Sequence, residues 1–101
     1  MARTTIPNRR AAITRKIDFQ QANETTIPIL VTIGFNEKGK VAEVFCASFK
    51  AGSDVNALVI DACIMLSRLF QFGDSPADVV KSLTSNSLIR TLAQVAAEED
   101  Q

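Results

Sequence analysis

Apolar residues along this chain change their spacing twice, and the changes mark its elements. Ile13, Ile17 and Phe19 alternate with Thr14, Lys16, Asp18 and Gln20, the period-two pattern of a strand with one buried face. After the polar turn QANETT, the stretch IPILVTIGF puts Ile27, Ile29, Val31, Ile33 and Phe35 on one face of a second strand. Pro28 has no N–H to give a ladder, so this strand should begin at an edge or enter the pairing late. NEKGK supplies a hairpin turn in which Gly39 can take positive φ. VAEVFCASF then reads as a third strand, with Val41, Phe45, Ala47 and Phe49 on a shared face that Glu43 interrupts. A three-stranded antiparallel meander of this kind needs a covering layer.

The spacing then becomes helical. Ser53 is a good N-cap and Asp54 suits the positive end of the helix dipole. Beyond them Val55, Leu58, Ala62, Met65, Leu69 and Phe72 form one stripe, while Val59, Cys63, Leu66 and Phe70 form another beside it. Ile60 and Ile64 widen the apolar arc further, well past the roughly 100° of an ordinary surface helix. One sheet cannot cover an arc over residues 55–72; either a later helix or a second copy of the chain must cover the rest. Gly73 ends the helix as a C′ residue. Ser75, Pro76 and Asp78 start a short second helix carrying Val79, Val80 and Leu83. TSNS interrupts, and Leu88, Ile89, Leu92, Val95 and Ala96 fit a third helix that should fray into EEDQ. The predicted class is α+β: a β-meander, a long apolar helix and two shorter helices, all three on one face of the sheet.

Composition narrows the chemistry. The 101 residues include no His, Trp or Tyr, which removes the commonest general base and metal ligand and any Ser–His or Cys–His pair. No catalytic residue, metal or cofactor is expected. Cys46 and Cys63 match no metal or redox spacing and read as small buried hydrophobes. No apolar run reaches the roughly 18 residues that span a bilayer, and the first residues lack a secretory pattern, so the expectation is a cytoplasmic protein off the membrane.

Charge adds a division of the chain into a basic extended arm, 1–12, and a single domain, 13–101. Arg3, Arg9, Arg10, Arg15 and Lys16 face no acid within the first sixteen residues, whereas the remainder is acidic. Such an arm can contact phosphate or a neighbour's acidic surface, or it can be a solubilising terminus. Arg9, Arg10, Lys50, Gly52, Ser53 and Asp54 are candidate ligands for the phosphate of a nucleotide or nucleic acid. In that arrangement the N–H groups of Gly52, Ser53 and Asp54 would meet the anion. Ile60, Ile64, Met65 and Phe72 are candidates for an oligomer interface.

In the order given, Asn8-Arg9-Arg10, Gly39 with Ala42-Glu43-Val44-Phe45, Lys50-Ala51-Gly52-Ser53-Asp54, Asp61-Ala62, Leu66-Ser67 and Phe72-Gly73 with Pro76 resemble the TSCPD-domain family. That family is best known as the C-terminal region of adenosylcobalamin-dependent ribonucleotide reductases, and the likeness is strongest to its short stand-alone members in proteobacterial and phage-related genomes. The chain departs from the cysteine-containing signature of the family's name, since SLTSNSLIRTLAQVAAEED has no cysteine. No metal or dithiol role therefore transfers, and 101 residues cannot supply the barrel and cobalamin site of reductase chemistry. The resemblance implies a non-catalytic, homo-oligomeric accessory module linked to ribonucleotide reductase or nucleotide metabolism and binding a nucleotide or nucleic-acid phosphate. The alternatives are a structural module docking a protein partner, or a phage factor sequestering a nucleotide signal.

Overall fold

The computed structural model describes residues 11–21 and 24–100. Strands β1 (Ala12–Gln20), β2 (Thr26–Phe35) and β3 (Val41–Cys46) precede helices α1 (Asp54–Gln71), α2 (Pro76–Ser82) and α3 (Leu88–Glu99). The strands form one antiparallel sheet in the order β1-β2-β3. Ile13 lies opposite Ile33 and Ile17 opposite Ile29, so the alternation read from the sequence puts both strands' isoleucines on the face that the helices cover. Ile29, Val31 and Ile33 on β2 are 1% exposed or less and form the centre of the core with Leu92 of α3. Pro28 pairs with Asp18 of β1, but β3 meets β2 only from Val31 to Phe35. The missing N–H therefore interrupts no β2–β3 ladder.

The face predicted for the third strand is corrected by a bulge. Gly34 pairs with Glu43 but Phe35 with Val41, which leaves Ala42 as an extra residue on β3. One extra residue reverses the in-and-out alternation beyond it. Val41, Ala42, Val44 and Cys46 are buried, while Phe45 and Ala47 are exposed. Phe49, past the end of the strand, still packs against the core. Glu43 points outward with Phe45 and interrupts nothing.

The helices start and stop on local chemistry. Ser53, Ser75 and Ser87 each accept from the N–H three residues on. Gly73, at φ 108, closes α1: its N–H goes to the Phe70 carbonyl and that of Asp74 to Leu69, a paired C-terminal motif that requires the left-handed residue. The fraying expected at EEDQ is not seen over Glu98, Glu99 and Asp100, and Gln101 lies outside the described residues. Arg15 of β1 donates from Nη1 to Glu98 at 2.9 Å and Glu99 at 3.2 Å, and the Asp100 carboxylate accepts from the Val41 N–H at 3.1 Å. These contacts come from β1 and β3, far away in sequence, and hold the last turn of α3 on the sheet. They also pair Arg15, one of the five cations counted in the first sixteen residues; the arm up to Arg10 lies outside the described residues.

Packing of α1 is directed by polar atoms as well as apolar ones. Val59, Cys63, Leu66 and Phe70 bury against β3. Beside them the Ser67 hydroxyl accepts from the Val44 N–H at 3.0 Å and donates to the Val44 carbonyl at 3.3 Å, and the Gln71 amide donates to the Ala42 carbonyl at 3.0 Å. Backbone groups on the open edge of β3 are thereby satisfied, and an edge that could recruit another strand is blocked.

Candidate functional site

Two regions were candidates from the sequence, and the structure treats them differently. In the turn before α1, Gly52 sits at φ 84 with open space where a Cβ would be, so the turn requires glycine for its backbone rather than for room. The Ser53 N–H donates to the Lys50 carbonyl at 3.1 Å. The Ser53 hydroxyl donates to that carbonyl at 2.7 Å and accepts from the Asn56 N–H at 3.1 Å. Of the three N–H groups expected to meet a phosphate, that of Ser53 is therefore already engaged. Lys50, Gly52 and Asp54 are exposed, with the Asp54 carboxylate at the positive end of the helix. Arg9 and Arg10 lie outside the described residues, so the structure joins neither to this turn.

The second region is the side of α1 turned away from β3. Val55 is 51% exposed, Leu58 69%, Met65 61%, Leu69 41% and Phe72 81%. With Ala62 these residues are spaced alternately three and four apart, the seam that one helix presents to another. The later helices cover this seam only in part, at Ala62: α3 buries Leu92, Ala93, Val95 and Ala96 against the sheet, and α2 buries Val79 and Val80. Met65, Leu66 and Leu69 instead form one wall of a groove of about 430 Å³, opposite Val79, Leu83 and Ile89. Phe72 follows Leu69 by three residues along the seam, with the Arg68 guanidinium 5.8 Å from its ring centre, within range of a cation–π contact.

The four residues predicted for an interface divide between two flanks of the helix. Met65 and Phe72 belong to the exposed seam. Ile60 and Ile64, also exposed, lie on the other side of the buried stripe, on the flank that carries Ser67 and Gln71 by helical spacing. The structure does not bring all four onto one face. The alternating three-and-four spacing, visible in the sequence, is the signal that separates them.

Cys46 and Cys63 are free and buried. Burial pushes the Cys63 thiol from 9.0 up to about 11, a hydrogen bond with the Cys46 backbone pulling it partly back, so it is a poor nucleophile at neutral pH. Among the described residues, no group of three His, Cys, Asp or Glu side chains is placed to hold a metal ion, and no helix is long and apolar enough to cross a membrane. Sequence reasoning counted Arg15 only among the basic residues near the start of the chain and passed over Arg90; the two face one cleft between β1 and α3. The signal for Arg15 was present: it occupies an inward position between Ile13 and Ile17, where a charge needs a partner.

A family model for the TSCPD domain matches residues 3–96. The chain belongs to the TSCPD-domain family, whose domain is associated with ribonucleotide reductase-like proteins. No curated protein and no solved structure matches it.

Proposed function

We propose that this chain is a non-catalytic accessory module of ribonucleotide reductase-like systems that works as an oligomer assembled through the exposed seam of α1. One observation carries this reading: five large apolar side chains, spaced as a helix–helix seam, remain uncovered by the chain's own helices. Exposed apolar patches of that extent mark interfaces. A second copy supplies an identical helix, and a two-fold axis buries both seams at once. The five side chains expose on the order of 500 Å² of apolar surface, to which the groove wall adds, against the roughly 800 Å² per partner of a standard interface. The lack of histidine in the chain supports a binding role over a catalytic one. A phosphate at the Lys50–Asp54 turn forms no part of this reading, since Ser53 fills that helix start itself.

Sedimentation equilibrium of the wild-type chain and of Leu58→Asp tests the proposal. The wild type should be a dimer or higher oligomer. The variant should be a monomer with an unchanged far-UV spectrum, because Leu58 is 69% exposed and contributes little to its own subunit's core. A monomeric wild type, or a variant that keeps the wild-type mass, would overturn the seam as the assembly surface.

A further inference from the structure

We propose that the cleft between β1 and α3 is a binding site for a small phosphate monoester, gripped by Arg90 with Arg15 recruited from its acidic partners. The cleft measures about 360 Å³ and shares no lining residue with α1. It is independent of the docking surface, and its fate does not depend on that reading.

Uncommitted hydrogen-bonding groups in the cleft are overwhelmingly donors. Arg90 is half-buried, and among the described residues its guanidinium makes one hydrogen bond, from Nε to the Val80 carbonyl at 3.2 Å. That bond orients the guanidinium plane and leaves both Nη groups without a partner among the described residues. A guanidinium carries five N–H donors and no acceptor. Arg15, facing it across the cleft, uses only Nη1, toward Glu98 and Glu99. The Gln94 amide reaches the Glu98 carboxylate with one long bond of 3.4 Å and keeps its second N–H. The one carboxylate lining the cleft, Glu98, is thus already shared between Arg15 and Gln94. The amide oxygens of Gln94 and Asn86 aside, what remains is donors on two cations, which favours an anionic, acceptor-rich ligand. A phosphate monoester presents three acceptor oxygens to donors arriving from two walls, the geometry that guanidinium groups match best.

Charge points the same way. From residue 11 onward the chain holds 8 basic and 11 acidic residues, a net charge of −3. The cleft departs from that balance: its lining holds two guanidinium groups and one carboxylate, and with Glu99, which also bonds Arg15, the two signs are even. Arg90 is also misplaced for helix stability, since a cation in the first turn of α3 opposes the helix dipole. Positions that break a local rule at some cost are where function is to be sought. The volume admits a molecule of mononucleotide size or smaller, and an incoming phosphate would compete with Glu98 for Arg15.

A purely structural Arg90, tying the end of α2 to α3 through Val80, would make different predictions. The test is an NMR titration of the isotope-labelled chain with inorganic phosphate and with a nucleoside monophosphate at constant ionic strength, using acetate as the comparison anion. Both phosphates should give saturable shifts at the Arg90 Nε–H and the Gln94 side-chain amide, while acetate should give none that saturate. Arg90→Gln should weaken binding roughly tenfold or more, the usual consequence of losing a charge-assisted pair. Glu98→Gln should tighten it several-fold by removing the one carboxylate in the lining and leaving Arg15 held by Glu99 alone, an effect that a structural Arg90 does not produce. Melting curves in phosphate-free buffer establish that each variant folds, and Glu98→Gln decides the matter if Arg90→Gln does not. Absence of saturable phosphate shifts, or an affinity that Glu98→Gln leaves unchanged, would overturn the proposal.

Discussion

The two apolar stripes of α1 have opposite fates. Val59, Cys63, Leu66 and Phe70 are between 2% and 6% exposed, whereas Leu58, Met65 and Phe72 on the neighbouring stripe lie between 61% and 81%. The exposed stripe carries the bulkier set, so burial alone would favour turning the helix the other way. Ser67 and Gln71 account for the choice. They sit beside the buried stripe, on the side away from the seam, and bond to Val44 and Ala42 on the open edge of β3. Rolling α1 to bury the seam would pull both side chains from that edge. Each backbone group left unpaired in a buried setting costs about 1–3 kcal/mol. Helix orientation is set here by a pair of polar hooks, and an apolar surface is left over for the proposed assembly.

The sharpest way to break this contrast is to truncate one residue of each stripe. Leu66→Ala should cost about 2–5 kcal/mol, as large-to-small changes in a packed core do. That is a large part of the roughly 5–15 kcal/mol by which a domain is stable. Met65→Ala, one position away, should cost under about 0.5 kcal/mol in the monomer. Urea denaturation at concentrations below self-association reads both, and equal losses would show that the stripes are not distinct. Next in size is Ser67→Ala, which leaves the Val44 N–H without its acceptor. A loss of about 1–3 kcal/mol is expected, together with a greater tendency to aggregate as the β3 edge opens.

A pH dependence sharpens the buried side of the comparison. The Cys63 thiol titrates near 11 in the folded chain and near 9.0 when exposed. Between these values the unfolded chain has released the proton and the folded chain has kept it, so stability falls as pH rises from 9 to 11. Denaturation midpoints at both ends of that window should show the fall in the wild type and a smaller one in Cys63→Ala. Identical slopes would place Cys63 in contact with solvent.

Much of this was legible in the sequence because its causes are local. Alternation gave β1 and β2, serines gave the helix starts, and Gly73 gave the end of α1. Face assignment on β3 failed because a bulge at Ala42 is decided by the partner strand, not by β3's own pattern. Fraying at EEDQ failed for a similar reason: the partners of Glu98, Glu99 and Asp100 lie on β1 and β3, more than fifty residues away. The apolar surplus of α1 could be seen, but which stripe remained outside depended on Ser67 and Gln71 meeting an edge whose geometry only the fold creates. The Arg15–Arg90 cleft is likewise a product of topology, joining residues from the first strand and the last helix.

The smallest effect expected is the most informative about the seam itself. Ile64 is 54% exposed, comparable to Met65 beside it, and by composition either could serve an interface. Helical spacing puts them on opposite sides of the buried stripe. Ile64→Ser should therefore leave both monomer stability and the association constant close to wild type, since an exposed change away from any packing feature is usually worth less than about 0.5 kcal/mol. Met65→Ser should weaken association severalfold with equally little effect on the monomer. Analytical ultracentrifugation of the two variants side by side distinguishes a helix–helix seam from an interface that wraps the whole outer arc. If Ile64→Ser dissociates the oligomer as well as Met65→Ser does, the assembly grips both flanks of α1, and the two-fold pairing of seams gives way to a partner that encloses the helix.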